Sequence, residues 1–131
     1  MGQDITLTAS DGHKLGAYLC EAEGECKGSV IVVQEIFGVN VHIRDVAERY
    51  AALGYKTIAP ALYDRQERDF ETGYEPDDIA RGRDFKAGAN ENLNGVMADM
   101  DAAYAAVSDM GKVAVTGFCW GGFVVWLAAC R

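Results

Sequence analysis

From Ile5 to Thr8 apolar and polar residues alternate, Ser10-Asp11-Gly12 is a run of turn residues, and Lys14 to Cys20 alternates again. Two period-two runs about a short turn predict an antiparallel hairpin with one face buried. Beyond an acidic stretch from Glu21 to Lys27, Ser29-Val30-Ile31-Val32-Val33 is apolar almost without interruption, which predicts a strand covered on both faces. The period then becomes helical. Val41, Val46, Tyr50 and Leu53 share one face, and Gly54 stands where a helix would end. Tyr55 to Ala59 predicts a further short strand, stopped by Pro60.

The charged segment from Asp64 to Tyr74 has no period and predicts a surface loop. Glu75-Pro76-Asp77-Asp78 is a helix start signal, with proline at an early position and carboxylates in the first turn. That helix runs into Phe85 and is expected to break or bend between Asn90 and Gly95. Val96, Met97, Met100, Ala103, Tyr104 and Val107 mark a second amphipathic helix. Val113 to Thr116 predicts a last strand, and Gly121 to Cys130 a last helix. Strands alternating with helices imply right-handed crossovers, hence an α/β three-layer sandwich whose mainly parallel sheet has an antiparallel N-terminal hairpin. No internal repeat or linker divides the 131 residues, so one domain is expected.

Composition narrows the partners. Twenty acidic residues against 12 basic ones give a net charge of −8, which repels nucleic acid and anionic membranes. No apolar stretch reaches the ~18 residues of a membrane span, and the N-terminus has no basic-then-apolar leader. Cys20, Cys26, Cys119 and Cys130 form no Cys-x-x-Cys pair and have no histidine at zinc-ligand spacing. They are expected to be free thiols in a cytoplasmic protein that needs neither metal nor cofactor.

The segment Gly117-Phe118-Cys119-Trp120-Gly121-Gly122 joins the last strand to the last helix. Glycines two before and two after the apex let the chain turn sharply enough to lift a side chain clear of the sheet, the geometry of a nucleophile elbow with cysteine in place of serine. Cys119 is therefore the candidate nucleophile. A nucleophile needs a base and a group to orient that base, and little chain follows Cys119 to provide them.

This elbow, together with Val33-Gln34-Glu35-Ile36-Phe37-Gly38-Val39-Asn40 after the third strand and Pro60-Ala61-Leu62-Tyr63 after the fourth, resembles the dienelactone hydrolase (carboxymethylenebutenolidase) family of the α/β-hydrolase fold. The resemblance runs from about Asp11 to the last residue. It implies an enzyme that opens an enol lactone or ester by acyl transfer. Cys119 falls on the family's nucleophile, and the amides of Ile36 and Trp120 fall on its oxyanion hole. Glu35 matches the carboxylate that helps ionise the thiol. Arg81 matches an arginine that receives the substrate's carboxylate, a task suited to a planar bidentate donor, and Phe37 and Phe85 fall in the substrate pocket.

The family's aspartate and histidine lie after later strands, and His13 and His42 match neither, so the resemblance also implies an N-terminal half, truncated after the elbow helix and with little turnover alone. The strand from Val113 to Thr116 then becomes an open apolar edge, prone to self-association or to taking up a complementing C-terminal chain. The competing reading is a non-catalytic flavodoxin-like or interaction module. It fits less well, because Gln34-Glu35-Ile36-Phe37 lacks the glycines and hydroxyls of a phosphate-binding loop. Cys20, Cys26 and Cys130 are expected to be inert, and Trp120 and Trp126 to be packing residues.

Overall fold

A computed structural model of the chain describes residues 2–130. The predicted hairpin is there, as β1 (Gln3–Thr8) and β2 (Lys14–Cys20), paired antiparallel from Gln3 opposite Leu19 to Thr8 opposite Lys14. Behind the acidic loop lie β3 (Gly28–Val33), α1 (Val41–Ala52) and β4 (Tyr55–Pro60). Two helices follow, α2 (Pro76–Asn90) and α3 (Leu93–Val107), and then β5 (Val113–Gly117) and α4 (Trp120–Ala129).

The sheet order is β1-β2-β4-β3-β5. β3 is parallel to both β4 and β5, while β2 runs antiparallel to β4. The carboxyl ends of β3, β4 and β5 therefore emerge along one edge, where an open α/β sheet places its ligand crevice.

Every residue of β3 is buried, and its pleat divides the core. Val30 and Val32 pack with Ile43, Ala47 and Ala51 of α1. Ile31 and Val33 face the other way, toward Met100, Ala103 and Val107 of α3 and Val124 of α4. A strand covered by helices on both faces has no polar side to present, hence the unbroken apolar run. Its one hydroxyl is satisfied, since Ser29 donates to the Val107 carbonyl at 2.8 Å.

The helix ends follow local chemistry. The Asn40 side chain accepts from the Ile43 amide at 3.2 Å and caps α1, and Gly54 beyond its other end has φ of 101°. Glu75 and Asp78 form a capping box with Pro76 in the first turn of α2. The break between α2 and α3 falls at Glu91-Asn92, where the Asn92 side chain accepts from Gly95 at 3.1 Å and restarts the helix. Trp126 departs from expectation. It is 69% exposed, because α4 is apolar around its whole circumference and only one side of it meets the sheet.

Candidate active site

The turn at Cys119 is strained and sterically closed. Cys119 has φ of 57° and ψ of −123°, a region non-glycine residues enter at a cost of roughly 1–3 kcal/mol and which clusters at functional sites. A methyl group on Gly117 would lie 2.7 Å from the Gly121 carbonyl carbon, and one on Gly121 would lie 2.6 Å from the Val33 carbonyl oxygen. Gly122 meets no such limit, its nearest neighbour being 3.6 Å away. The two glycines of the elbow thus let the first turn of α4 settle on the exit of β3, with the exposed Cys119 at its apex.

That contact brings a second segment to the first turn of α4. Gln34, fully buried, accepts from the Leu62 amide at 2.9 Å and so fastens the exit of β3 to that of β4. Glu35 follows, half-buried, with Oε1 buried and without a hydrogen-bond partner among the described residues. A buried carboxylate oxygen left unpaired is costly. The turn at Ile36 is covered by α2, where a methyl group on Gly82 would lie 2.7 Å from the Ile36 carbonyl oxygen. Among the described residues, neither the Ile36 amide nor the Trp120 amide donates to a protein acceptor.

Aromatic side chains form the wall between these segments. Tyr63, wholly buried, sits 5.5 Å from the rings of Phe70 and Phe85 and 5.4 Å from Trp120. Burial pushes its phenol well above the ordinary tyrosine value, and the neighbouring Cys119 adds to the shift. Phe85 stacks on Phe70 at 4.2 Å, and Phe37 packs edge-on against Tyr74 at 4.6 Å. Arg81 is exposed. It lies 5.0 Å over the Phe70 ring and 3.4 Å from Glu67, a partner across a loop instead of the Asp77 and Asp78 of its own helix.

The cleft that contains Cys119 has a volume of about 250 Å³ and is lined also by Lys86, Asn90, Trp120 and Phe123. Lys86 and Asn90 were not legible as site residues, because nothing in the spacing of α2 ties its later turns to a residue some thirty positions on. The signal that exists is indirect: Asn90 stands where α2 ends, and the Trp120 indole donates to its Oδ1 at 3.0 Å. His42 lies outside this cleft, its ring 5.9 Å from that of Phe118. Among the described residues no group of three His, Cys, Asp or Glu side chains is placed to hold a metal, and no helix is long and apolar enough to cross a membrane.

Known proteins resemble this chain in sequence and fold. A Synechocystis sp. protein named "Putative carboxymethylenebutenolidase" is 46% identical over 105 residues, covering 76% of this chain and 42% of its own length. A Methylorubrum extorquens protein of the same name is 40% identical over 136 residues, covering 96% of this chain and 43% of its own length. The crystal structure named "Putative Dienelactone Hydrolase" from Klebsiella pneumoniae superposes with a TM-score of 0.70 at 35% identity, over 98% of this chain and 55% of that one. The chain thus spans about half the length of the relatives it matches. The family model for dienelactone hydrolases matches residues 15–131, which takes in all of the sheet except β1 and the first residue of β2. On that match, with the α/β-hydrolase sheet carrying it, the chain belongs to the dienelactone hydrolase family.

Proposed function

We propose that this chain carries the nucleophile and oxyanion side of a cysteine hydrolase for small lactones or esters. In the reaction the Cys119 thiolate attacks the acyl carbon, an S–C bond forms, and the carbonyl π pair moves onto oxygen. The oxyanion then collapses and expels the alkoxide or enolate, which takes up a proton. Water cleaves the resulting thioester and returns the thiol. The amides of Ile36 and Trp120 would bind the oxyanion, each donor worth about 3 kcal/mol in the transition state. Glu35, with its unpaired buried oxygen, would accept the thiol proton, while Phe37 and Phe85 shape the pocket and Arg81 meets an anionic substrate.

The observation that carries this reading is a strained, exposed cysteine at the apex of the elbow, followed directly by an amide, that of Trp120, with no protein acceptor among the described residues. Glycines closed to a methyl group on both sides of that cysteine support it, since an ordinary strand-to-helix turn needs no such approach. The histidine base and its orienting aspartate are not among the residues gathered at the elbow, and the 131-residue chain is expected to turn over poorly without them. They would come from polypeptide packed along the open edge of β5, beside a cleft of about 470 Å³ between α3 and α4. The four free cysteines suit a reducing compartment such as the cytoplasm.

Thiol labelling tests the nucleophile. With iodoacetamide near neutral pH and mass spectrometry of each cysteine peptide, Cys119 is expected to react well ahead of Cys26 and Cys130. Buried Cys20, whose thiol is pushed up by desolvation, should react last. Labelling of Cys119 no faster than Cys26 would sink the assignment.

A further inference from the structure

The cleft beside Cys119 contains an amine that the hydrolysis just described leaves unused. Lys86 lines it together with Asn90, Cys119, Trp120 and Phe123. It is half-buried, and among the described residues its side chain makes no ion pair and no hydrogen bond. The lining residues include no carboxylate to hold it.

Its helix holds it there. The Trp120 indole donates to Asn90 Oδ1 at 3.0 Å, which ties the end of α2 to the first residue of α4, directly after Cys119. Lys86 precedes Asn90 by four residues, so the two side chains share one face of α2. A long, flexible primary amine thus reaches the same space as the thiol. At about 250 Å³ that space lies below the ~300–1,000 Å³ of pockets for drug-sized ligands, so it fits a small acyl group. An acyl group carried on Cys119 leaves only by attack at its carbonyl carbon, and water attacks slowly unless a general base takes its proton. No histidine lines the cleft. A free amine needs no such base, and sharing a cleft with the thioester raises its effective concentration.

We propose that Lys86 is a modification site acylated by transfer from Cys119, so that small activated esters or thioesters leave their acyl group on this chain as a stable amide. This rests on Cys119 being the nucleophile. Lys86 reacts as the free amine, having given one proton to solvent. The Nζ lone pair attacks the thioester carbon, an N–C bond forms, and the carbonyl π pair moves onto oxygen. The oxyanion then collapses and the C–S bond breaks. Sulfur leaves as thiolate with its electron pair, and the nitrogen gives its extra proton to water. Cys119 is returned free, and α2 has exchanged an ammonium for a neutral amide.

p-Nitrophenyl acetate, a small activated ester, tests this on the 131-residue chain at mildly alkaline pH, with peptides from timed quenches read by mass spectrometry. Acetyl is expected first on Cys119, where hydroxylamine removes it, and then on Lys86, where hydroxylamine does not. Lys86 should gain on the order of tenfold more acetyl than the exposed Lys14. Alkylating the thiol beforehand with iodoacetamide should bring Lys86 down to the Lys14 level, and C119A should do the same. K86M and K86R should both prolong the Cys119 thioester severalfold, because a guanidinium keeps the charge and does not attack. Acetyl on Lys86 that survives loss of the thiol would come straight from the ester and overturns the transfer. So does a thioester that decays equally fast in K86M, in K86R and in the unsubstituted chain. Either result leaves the nucleophile assignment standing, whereas failure of a Cys119 thioester to form even in K86R overturns both.

Discussion

The two edges of this sheet are built by opposite rules. β1, Gln3-Asp4-Ile5-Thr6-Leu7-Thr8, alternates, turning Ile5 and Leu7 inward and polar side chains outward. Its outer row is charged and tied down, with Asp4 held by Arg44 at 3.1 Å. β5, Val113-Ala114-Val115-Thr116-Gly117, carries no charge, and Ala114 is exposed. Next to it on α4, Trp126 is 69% and Phe123 is 42% exposed. β1 has the composition of an edge strand and β5 that of an interior one. Its residues pair in register with β3 from Ser29 opposite Val113 to Val33 opposite Gly117, yet β3 is buried throughout and β5 is not. The difference teaches that the elbow hangs from a strand whose sequence calls for a neighbour, whereas the far side of the sheet is finished.

The finished side is the place for the largest effect. Arg65 joins the hairpin turn to α3, making two bonds to Asp11 at 2.7 and 3.0 Å and two to Asp99 at 2.9 and 3.0 Å. Asp99 is completely buried. R65M would strand that carboxylate, and loss of one partner from a buried pair typically costs about 3–5 kcal/mol, readable by urea denaturation. Its pH dependence has a definite sign. Burial raises the Asp99 carboxyl in the folded chain and Arg65 opposes the rise, so without Arg65 the folded state holds a proton the unfolded state releases. Stability of R65M should therefore fall as pH rises from about 4 toward 7. In the unsubstituted chain Arg65 lowers Asp11 to about 2. That contribution is present above the ordinary aspartate value and is lost as pH falls through about 2.

A matched pair of substitutions sharpens the comparison of strands. V33A on β3 and V115A on β5 remove the same atoms from the same layer of the core. Val33 is fully buried, and its truncation should cost about 2 kcal/mol, from two methylene equivalents at ~0.8 each plus the cavity left behind. Val115 is only partly buried, and about half that loss is expected. Equal losses in urea melts would mean that β5 is covered in solution by something packed against it.

How much of this was legible from the sequence divides along the same line. The strands, the change from period two to helical period and the break between α2 and α3 are local, and each follows from a few neighbouring residues; Gly117 and Gly121 were legible as the bracket of a sharp turn, although what closes Gly121 to a methyl group is the Val33 carbonyl of another strand. The Arg65 cluster is not local: its partners are 54 and 34 positions away, and a charged loop reads as solvated until the fold brings it against Asp99. Lys86 and Asn90 were missed for the same reason. Arg81 likewise meets Glu67, 14 positions away, a pairing that the spacing of its helix does not show. Trp126 was expected to pack, but a helix as uniformly apolar as α4 does not reveal which of its faces has a partner.

The smallest effect on stability bears most directly on the open edge. Ala114 is exposed on β5, and A114K places on it the residue that natural edge strands use to discourage pairing with another chain. A surface change of this kind should alter the unfolding free energy read from urea melts by no more than about 0.5 kcal/mol. Light scattering should nonetheless move: the unsubstituted chain is expected to associate through the β5 edge at high concentration, and A114K to shift it toward monomer. The register explains why one lysine suffices. Ala114 pairs with Val30 on the inner side and is the second of the strand's five residues, so a charge there stands near the start of any ladder that grows along the outer edge. A chain that is monomeric both with and without the lysine would show that β5 protects its own edge, and the contrast with β1 would then be one of sequence alone.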